Sequence, residues 1–76
     1  MASSDSLYLH HGNFETLSKR EREILKMIGQ GRSSKEISVE LRLSKETIGS
    51  YRRDICRKLG VHSTAELIAY AIRVFQ

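Results

Sequence analysis

The sequence predicts an all-α domain of four short helices. Four serines stand at the starts of segments with helical apolar spacing, where their hydroxyls can cap a helix. Glycines follow the first and third segments, as is common at helix ends. Proline is absent, and no segment alternates apolar and polar residues over the length of a strand. We therefore expect helices at about residues 19–29, 34–41, 45–58 and 64–75, and no sheet.

The length of the chain allows one domain. A chain of 76 residues buries only about 60% of the surface that its unfolded form exposes, so it supports a single modest core. Neither a receiver or sensor module nor a separate substrate domain fits beside that core. We assign residues 15–76 to the domain. Residues 1–14 are rich in Ser, His and Gly and lack periodicity, so we expect a flexible tail, a linker or an expression remnant.

The first helix begins at a capping box. Ser18 stands three residues before Glu21, so each side chain can bond a backbone N–H that the helix leaves unpaired. Gly29 and Gly31 are expected to end this helix. Its core residues, one of them just before the cap, are expected to be Leu17, Ile24, Leu25 and Ile28.

The second helix is short and begins at another capping box, formed by Ser33 and Glu36. Ile37 and Leu41 lie one turn apart and are expected to face the core. Ser38 is small enough to let a neighbouring helix cross closely.

The third helix follows after only a few residues. Ser44 can cap it without a reciprocal glutamate, because Thr47 occupies that place. Four apolar residues fall within a sector of about 80° and form the expected core face: Ile48, Tyr51, Ile55 and Leu59. The opposite side carries Glu46, Gly49, Ser50, Arg53 and Arg57. Gly60 is expected to end the helix in a left-handed conformation.

The last helix begins at a third capping box, formed by Ser63 and Glu66. A wide apolar stripe is expected to face the core: Leu67, Ile68, Ala71, Ile72 and Phe75. Beside it lies an outward flank of small and aromatic residues that would let a second copy approach, or that is plain surface. We predict a weak homodimer through this flank: Ala65, Ala69, Tyr70 and Arg73.

The second and third helices, with their tight connection, describe a helix-turn-helix at about residues 34–53. Thirteen Lys and Arg against nine Asp and Glu give a net charge of +4, which favours an anionic partner such as nucleic acid or an acidic membrane surface. No apolar run approaches the roughly 20 residues of a membrane span. The first thirteen residues also lack the pattern of a signal peptide, so we expect an intracellular protein.

Catalytic and metal-binding functions have little support in the sequence. The single Cys56 excludes an internal disulfide and a multi-cysteine zinc site, and it is expected to be a small buried thiol. His10 and His11 have no cluster of cysteines or carboxylates nearby, so we predict neither a metal nor a cofactor. Ser50 and Tyr51 stand beside arginines, but no neighbouring histidine or carboxylate pair offers a general base. We predict that the protein is not an enzyme.

Five stretches carry a resemblance to a known family: LSKREREIL (17–25), GRSSKEIS (31–38), LSKETI (43–48), KLGV (58–61) and AELIAYAIR (65–73). In this order they resemble the C-terminal, GerE-like DNA-binding domain of the LuxR/FixJ/NarL family of bacterial transcription regulators. The resemblance implies a four-helix domain whose third helix enters the major groove of double-stranded DNA. It also implies a cytoplasmic protein that is the effector domain of a response regulator or a small stand-alone regulator.

The resemblance implies roles for individual residues, and this chain differs from the family pattern at three positions. Ser44, Thr47, Ile48 and Ile55 agree with the family pattern. Gly49 stands where the family usually has Lys, Tyr51 where it has His, and Asp54 where it has Asn. The lysine often contacts DNA in the family, so base recognition in this chain is expected to depend more on Arg53.

Arg53 is the main candidate for a base contact, because it lies on the outward face and at a position where family members often carry a DNA-contacting basic residue. Its guanidinium can bond guanine O6 and N7, or it can remain with solvent or a phosphate. Ser50 and Glu46 are further base-contact candidates, for which plain exposure is an equal alternative. Gly49 is a candidate through a close approach of its backbone to the DNA. The phosphate-contact candidates are Ser33, Ser34, Lys35, Lys45, Thr47, Arg52 and Arg57. For Arg52 the alternative is a stem packed inward, and for Arg57 it is plain solvation.

The resemblance also implies protein partners. Related domains often dimerise through the last helix, which for a two-fold dimer requires half-sites about one helical turn apart. RNA polymerase is a further expected partner. A helical module that binds polymerase or another regulator, without binding DNA, is the alternative function.

Overall fold

The computed structural model describes residues 14–76, which form one turn of 3-10 helix, Phe14–Thr16, and four α-helices. The α-helices are α1 (Lys19–Gly29), α2 (Ser34–Leu41), α3 (Lys45–Leu59) and α4 (Thr64–Val74). This part of the chain contains no strand, so the prediction of an all-α fold is confirmed. The first two helices have the expected bounds, while α3 continues one residue further and α4 ends one residue earlier.

Serine hydroxyls cap the first three helices as expected. Ser18 and Ser33 each accept a hydrogen bond at 3.1 Å from the backbone N–H of the glutamate three residues on, and that glutamate accepts from the serine N–H at 2.8 Å. Both capping boxes are therefore complete. Ser44 accepts from the N–H of Thr47 at 3.0 Å, a cap without a reciprocal partner.

The capping box predicted for α4 is only half formed, so this prediction was wrong in part. The N–H of Glu66 donates to the Ser63 hydroxyl at 3.1 Å, but the Glu66 carboxylate accepts from the N–H of His62, at 2.6 Å, and not from that of Ser63. The backbone at Ser63 is more extended than at the other caps, with φ at −147° against −71° to −76°. This turn brings the preceding N–H to the carboxylate.

Left-handed residues follow the first three helices. Gly60 ends α3 with φ at 71°, as predicted, and Gly31 follows α1 with φ at 86°. Arg42 ends α2 with φ at 58°, a conformation that is uncommon for a residue other than glycine. Gly29 does not end α1 by a change of conformation, since it remains helical. A Cβ at Gly29 would lie 2.9 Å from Cβ of Ala71, so its role is close packing against α4.

The core lies between α1, α3 and α4, with α2 packed on α3. The buried apolar residues are Leu17, Ile24, Leu25, Met27, Ile28, Ile37, Ile48, Ile55, Leu59, Leu67 and Ala71. All but Met27 were predicted to be core. Residues expected in the core that are half-buried against it are Leu41, Tyr51, Ile68 and Phe75.

The prediction that Ile72 faces the core is wrong, because 48% of the residue is exposed. Among the main helix contacts α4 packs on α1, which covers one side of it and leaves the far edge of the apolar stripe in solvent.

The helix-turn-helix corner is formed by α2 and α3, joined through residues 42–44. Ser38 is buried at this corner, and its hydroxyl donates to the carbonyl of Lys35 at 2.7 Å. Leu43 donates its N–H to the carbonyl of Ser38 at 2.9 Å, which fixes the connection against the end of α2. A small, internally bonded side chain lets the two helices approach here.

An ion pair between a buried carboxylate and a partly exposed ammonium group joins α1 to α3. The Nζ of Lys58 lies 2.9 and 3.2 Å from the two carboxylate oxygens of Glu21, whose side chain is only 6% exposed. Burial raises the pKa of Glu21, but the bond from the Ser18 N–H and the ammonium group of Lys58 together outweigh it, so the pKa lies below its ordinary value. The charged pair is therefore the state that the fold favours.

The start of the described chain packs on its end. Phe14, which we had placed in the tail, meets Phe75 edge to face, with ring centroids 5.3 Å apart. The guanidinium of Arg22 lies 4.7 Å from the centre of the Phe14 ring, and its Nη2 donates to the carbonyl of Glu15 at 3.2 Å. The 3-10 turn is thereby held against both α1 and the end of α4.

Candidate nucleic-acid interface

One side of α3 faces away from the core and carries the candidate base-contact residues. Ile48, Ile55 and Leu59 are buried, which turns the opposite side of the helix outward. On that side Glu46, Ser50 and Arg53 are exposed and Gly49 is half-buried.

The Arg53 guanidinium lies back along α3 toward the start of the helix. Its Nη2 is 3.5 Å from the hydroxyl oxygen of Ser50, and its Nη1 is 3.6 Å from the point that a Cβ on Gly49 would occupy. Within residues 14–76 no carboxylate lies within 4.0 Å of this guanidinium. The structure thus leaves its charge available to an external anion or acceptor.

Arg57, one turn further along α3, differs from Arg53. Its Nη1 lies 2.9 Å from a carboxylate oxygen of Asp54, and both side chains are exposed. A phosphate would have to compete with Asp54 for this guanidinium. Two exposed arginines on one helix therefore differ in how freely they can bind an anion.

Candidate phosphate contacts lie at the starts of α2 and α3. Lys35 and Lys45 are exposed and have no carboxylate within 4.0 Å among residues 14–76. The Ser44 hydroxyl donates to the Thr47 hydroxyl oxygen at 2.9 Å, so the proton of Thr47 is free to point outward. The Ser33 hydroxyl already accepts the N–H of Glu36 and can still donate its proton.

A groove of about 560 Å³ brings these elements together. It runs between α3 and the start of α4 and reaches the start of α2. Among its lining residues are Ser34, Gly49, Arg52, Arg53, His62 and Thr64. Base-contact and phosphate-contact candidates therefore share one continuous surface. Arg52 is half-buried there, in agreement with a stem that packs inward.

Two residues of this region were not selected from the sequence. Arg42, in the turn between α2 and α3, is exposed and has no carboxylate within 4.0 Å in the part of the chain that the structure describes. The signal was a basic residue in the turn of the predicted helix-turn-helix. His62 lines the groove because the chain turns back toward α3 after Gly60, a course that the sequence does not reveal.

The outward side of α4 carries the candidate dimer residues. Ala65, Ala69 and Arg73 are exposed, and Tyr70 is half-buried with the Arg73 guanidinium 5.7 Å from its ring centre. Ile72 lies three residues after Ala69, so it extends the exposed apolar strip by a large side chain that we had assigned to the core.

The potential metal ligands of residues 14–76 do not form a binding group. No three His, Cys, Asp or Glu side chains there are grouped so as to hold a metal ion. His10 and His11 lie outside the described residues. Cys56 is half-buried, less than we expected, and burial raises the pKa of its thiol, which disfavours the nucleophilic thiolate. Of the four helices, none is long and apolar enough to cross a membrane.

A tight helix-helix corner, an outward-facing α3 and nearby cations that have no carboxylate within 4.0 Å among residues 14–76 define a helix-turn-helix domain of the type that binds double-stranded DNA. Residues 15–71 match the family model described as bacterial regulatory proteins, luxR family. The chain belongs to this family, which confirms the resemblance found in the sequence. Membership in this family supports DNA-binding regulation of transcription as the function of the domain, and it does not favour a protein-interaction module.

Several relatives share the domain. The response regulatory protein YgeK of Escherichia coli K12 is 47% identical over 58 residues, which cover 76% of this chain and 40% of YgeK. The Fimbriae Z protein of Salmonella typhimurium LT2 is 47% identical over 55 residues, 72% of this chain and 26% of the relative. The oxygen regulatory protein NreC of Staphylococcus aureus JH9 is 43% identical over 60 residues, 79% of this chain and 28% of NreC. The chain thus spans less than half the length of each relative.

Proposed function

We propose that the domain recognises a specific site in duplex DNA by placing residues 45–57 of α3 in the major groove, with Arg53 as the main base-contacting residue. The observation that supports this role is that the Arg53 guanidinium on the outward face has no carboxylate within 4.0 Å among residues 14–76, whereas that of Arg57 is paired with Asp54. A guanidinium that bonds guanine O6 and N7 contributes about 1–3 kcal/mol of discrimination against other bases. Glu46 and Ser50 lie on the same face and can meet neighbouring base edges.

The remaining contacts hold the backbone of the duplex. The hydroxyls, ammonium groups and helix starts of α2 and α3 suit phosphate oxygens, which position the protein without reading sequence. The residues we assign to this role are Ser33, Ser34, Lys35, Arg42, Lys45, Thr47, Arg52 and Arg57.

A selection of binding sites from a random duplex pool gives the motif, and fluorescence titration then compares wild type with Arg53→Ala and Arg57→Ala. Arg53→Ala should weaken binding to the selected duplex about 10-fold and relax the preference at one base pair. Arg57→Ala, the matched control on the same helix, should have a small effect that is equal for all sequences. Unchanged affinity and preference in Arg53→Ala would remove Arg53 from base recognition.

We further propose that the outward side of α4 is a homodimer face, supported by the exposed apolar strip that ends at Ile72. A two-fold dimer would bind half-sites about one helical turn apart. Sedimentation of the protein with a duplex that carries two such sites should give a two-to-one complex, and Ile72→Ser should reduce it to one-to-one. A one-to-one complex with the wild-type protein would reject the dimer.

We also propose that the domain acts in the bacterial cytoplasm, at a promoter, and that RNA polymerase is the protein whose occupancy it changes. A promoter fragment with the selected site tests this by footprinting of polymerase with and without the domain. The same polymerase footprint in both samples would contradict the proposal.

A further inference from the structure

We propose that Gly49, Ser50 and Arg53 form one base-reading unit. In this unit the missing side chain of Gly49 makes room for the Arg53 guanidinium, and Ser50 orients that guanidinium. The inference rests on the proposed function, namely that this side of α3 enters the major groove. It adds that the base pair next to residue 49 is read by the side chain of residue 53.

The position of the guanidinium is the first step. Side chains on a helix lean toward its N-terminus, so Arg53 extends over the preceding turn. Nη1 stands 3.6 Å from the point where a Cβ on Gly49 would lie, and Nη2 stands 3.5 Å from the Ser50 hydroxyl oxygen. The charged end of Arg53 therefore occupies the space in front of residues 49 and 50.

The glycine itself is the second step. A glycine inside a helix weakens that helix, so its presence calls for a physical reason. Gly49 has an ordinary helical conformation, since it is not among the residues with positive φ. Apart from its own helix backbone and its chain neighbours, the atom that a Cβ would approach within 4 Å is Nη1 of Arg53. Packing of the fold does not require this glycine. A Cβ at residue 49 would lie 3.6 Å from Nη1, an ordinary contact, but a longer side chain would have to share the space that the guanidinium occupies.

The charges around the unit are the third step. Asp54, next to Arg53 in sequence, is held by Arg57 at 2.9 Å. Among residues 14–76 the group that bonds the Arg53 guanidinium is the neutral hydroxyl of Ser50, at a distance near the limit of a hydrogen bond. Such a contact orients the guanidinium but does not neutralise its charge. Arg53 can turn to a base without breaking an ion pair, and Ser50 is a positioning residue.

The test compares variants at position 49 by titration against the selected duplex and against duplexes with each base pair replaced in turn. Gly49→Gln adds a neutral side chain that fills the space of the guanidinium, and it should lose about 10-fold of the discrimination at the base pair that Arg53→Ala relaxes. Gly49→Ala, the matched small substitution, places its Cβ at ordinary contact distance from the guanidinium and should lose much less of that discrimination than Gly49→Gln. In the Arg53→Ala background, adding Gly49→Gln should cause no further loss of discrimination at this base pair, because the guanidinium that it displaces is already gone.

Position 50 supplies the second readout. Ser50→Ala should lower discrimination at the same base pair by a few fold, and Ser50→Thr, which keeps the hydroxyl, should restore it. Thermal unfolding by circular dichroism shows that each variant is folded. If Arg53→Ala relaxes a base pair but Gly49→Gln leaves the preference there intact, the unit does not exist while the proposed function stands. If Arg53→Ala relaxes no base pair, the proposed function itself fails.

Discussion

Two glycines lie within the helices of residues 14–76, and they are there for different physical reasons. At Gly29 the α1 backbone touches α4, because an added Cβ would be 2.9 Å from the Ala71 Cβ and 3.4 Å from its carbonyl carbon. At Gly49 the space in front of the backbone is open except for the flexible end of Arg53. The same substitution should therefore have opposite effects at the two positions.

Gly29→Ala should destabilise the domain by about 1–3 kcal/mol, because two packed backbones must move apart. Gly49→Ala should stabilise it by up to about 1 kcal/mol, the difference in helix propensity at an open position. Urea unfolding followed by circular dichroism measures both. Stabilisation by both substitutions would show that the α1–α4 crossing is not as close as described, and destabilisation by both would show that position 49 is not open.

The buried carboxyl of Glu21 makes stability depend on pH. A carboxyl whose pKa is lower in the folded chain than in the unfolded chain stabilises the fold above the unfolded value and loses this contribution as pH falls through the folded value. The pKa of Glu21 is lowered from 4.5, and so is that of Glu36, through the Ser33 cap. Stability should therefore fall in acid from about pH 4.5 downward.

Glu21→Gln distinguishes the contribution of Glu21 to the pH dependence of stability from that of Glu36. It should cost about 1.5 kcal/mol at neutral pH, the low end for a bond to a charged group because the Lys58 partner is partly exposed. It should also flatten the acid limb of the stability curve, leaving the part due to Glu36. Urea midpoints measured between neutral pH and about pH 3 check both effects. An unchanged acid limb would mean that the folded chain does not lower the pKa of Glu21.

The serine caps stabilise the helices, and the cap of α3 also affects DNA binding. Ser44 begins α3 beside the candidate base-contact residues, while Ser18 begins α1, on a different element. Replacement of either serine by alanine should cost about 1 kcal/mol of stability. Ser44→Ala should also weaken DNA binding, because it frays the turn that carries Lys45, Glu46 and Thr47, whereas Ser18→Ala should not. Equal loss of affinity in the two variants would place the effect in overall stability.

Helix starts and core faces were predictable because the signals are local. A serine cap with a glutamate three residues on is contained in four residues, and the apolar spacing of α1 and α3 repeats within a few turns. The misplacement of Ile72 has a physical cause. A stripe of apolar residues fixes which side of α4 is apolar, but the width that α1 covers depends on how the two helices cross.

Pairings between distant residues were not predictable. Lys58 meets Glu21 across 37 positions, and nothing in either segment indicates the other. The outward position of Arg53 followed from helical geometry. Among residues 14–76, Arg57 has a carboxylate partner and Arg53 has none, which depends on side-chain positions that the sequence does not reveal. That α3 shares a groove with the start of α4 depends on the course of the chain, which the sequence does not reveal either.

For the whole molecule, the distribution of unpaired charge matters more than the net charge of +4. Several cations of α2, α3 and the turn between them have no carboxylate within 4.0 Å among residues 14–76: Lys35, Arg42, Lys45, Arg52 and Arg53. Replacement of Lys35 or Lys45 by alanine should weaken binding to all duplexes alike. It should also reduce the slope of log affinity against log salt by about one.

Lys26→Ala is the control for this measurement. Lys26 is exposed on α1, between residues of α4 on one side and α2 on the other. Its removal lowers the net charge by the same amount but should leave the salt slope unchanged. A decrease equal to that of Lys45→Ala would mean that overall charge, and not the surface around α3, controls binding.

The edge-to-face contact of Phe14 with Phe75 determines how the two ends of the described chain open locally. It closes a loop that contains all four helices, so the first turn and the last turn of the described chain share one stabilising contact. Local opening should therefore involve both ends together, as a single cooperative unit in native-state hydrogen exchange. Because Phe75 caps the end of α4, loosening of the turn at Phe14 should also loosen the end of that helix. This is the helix through which we propose that two copies meet.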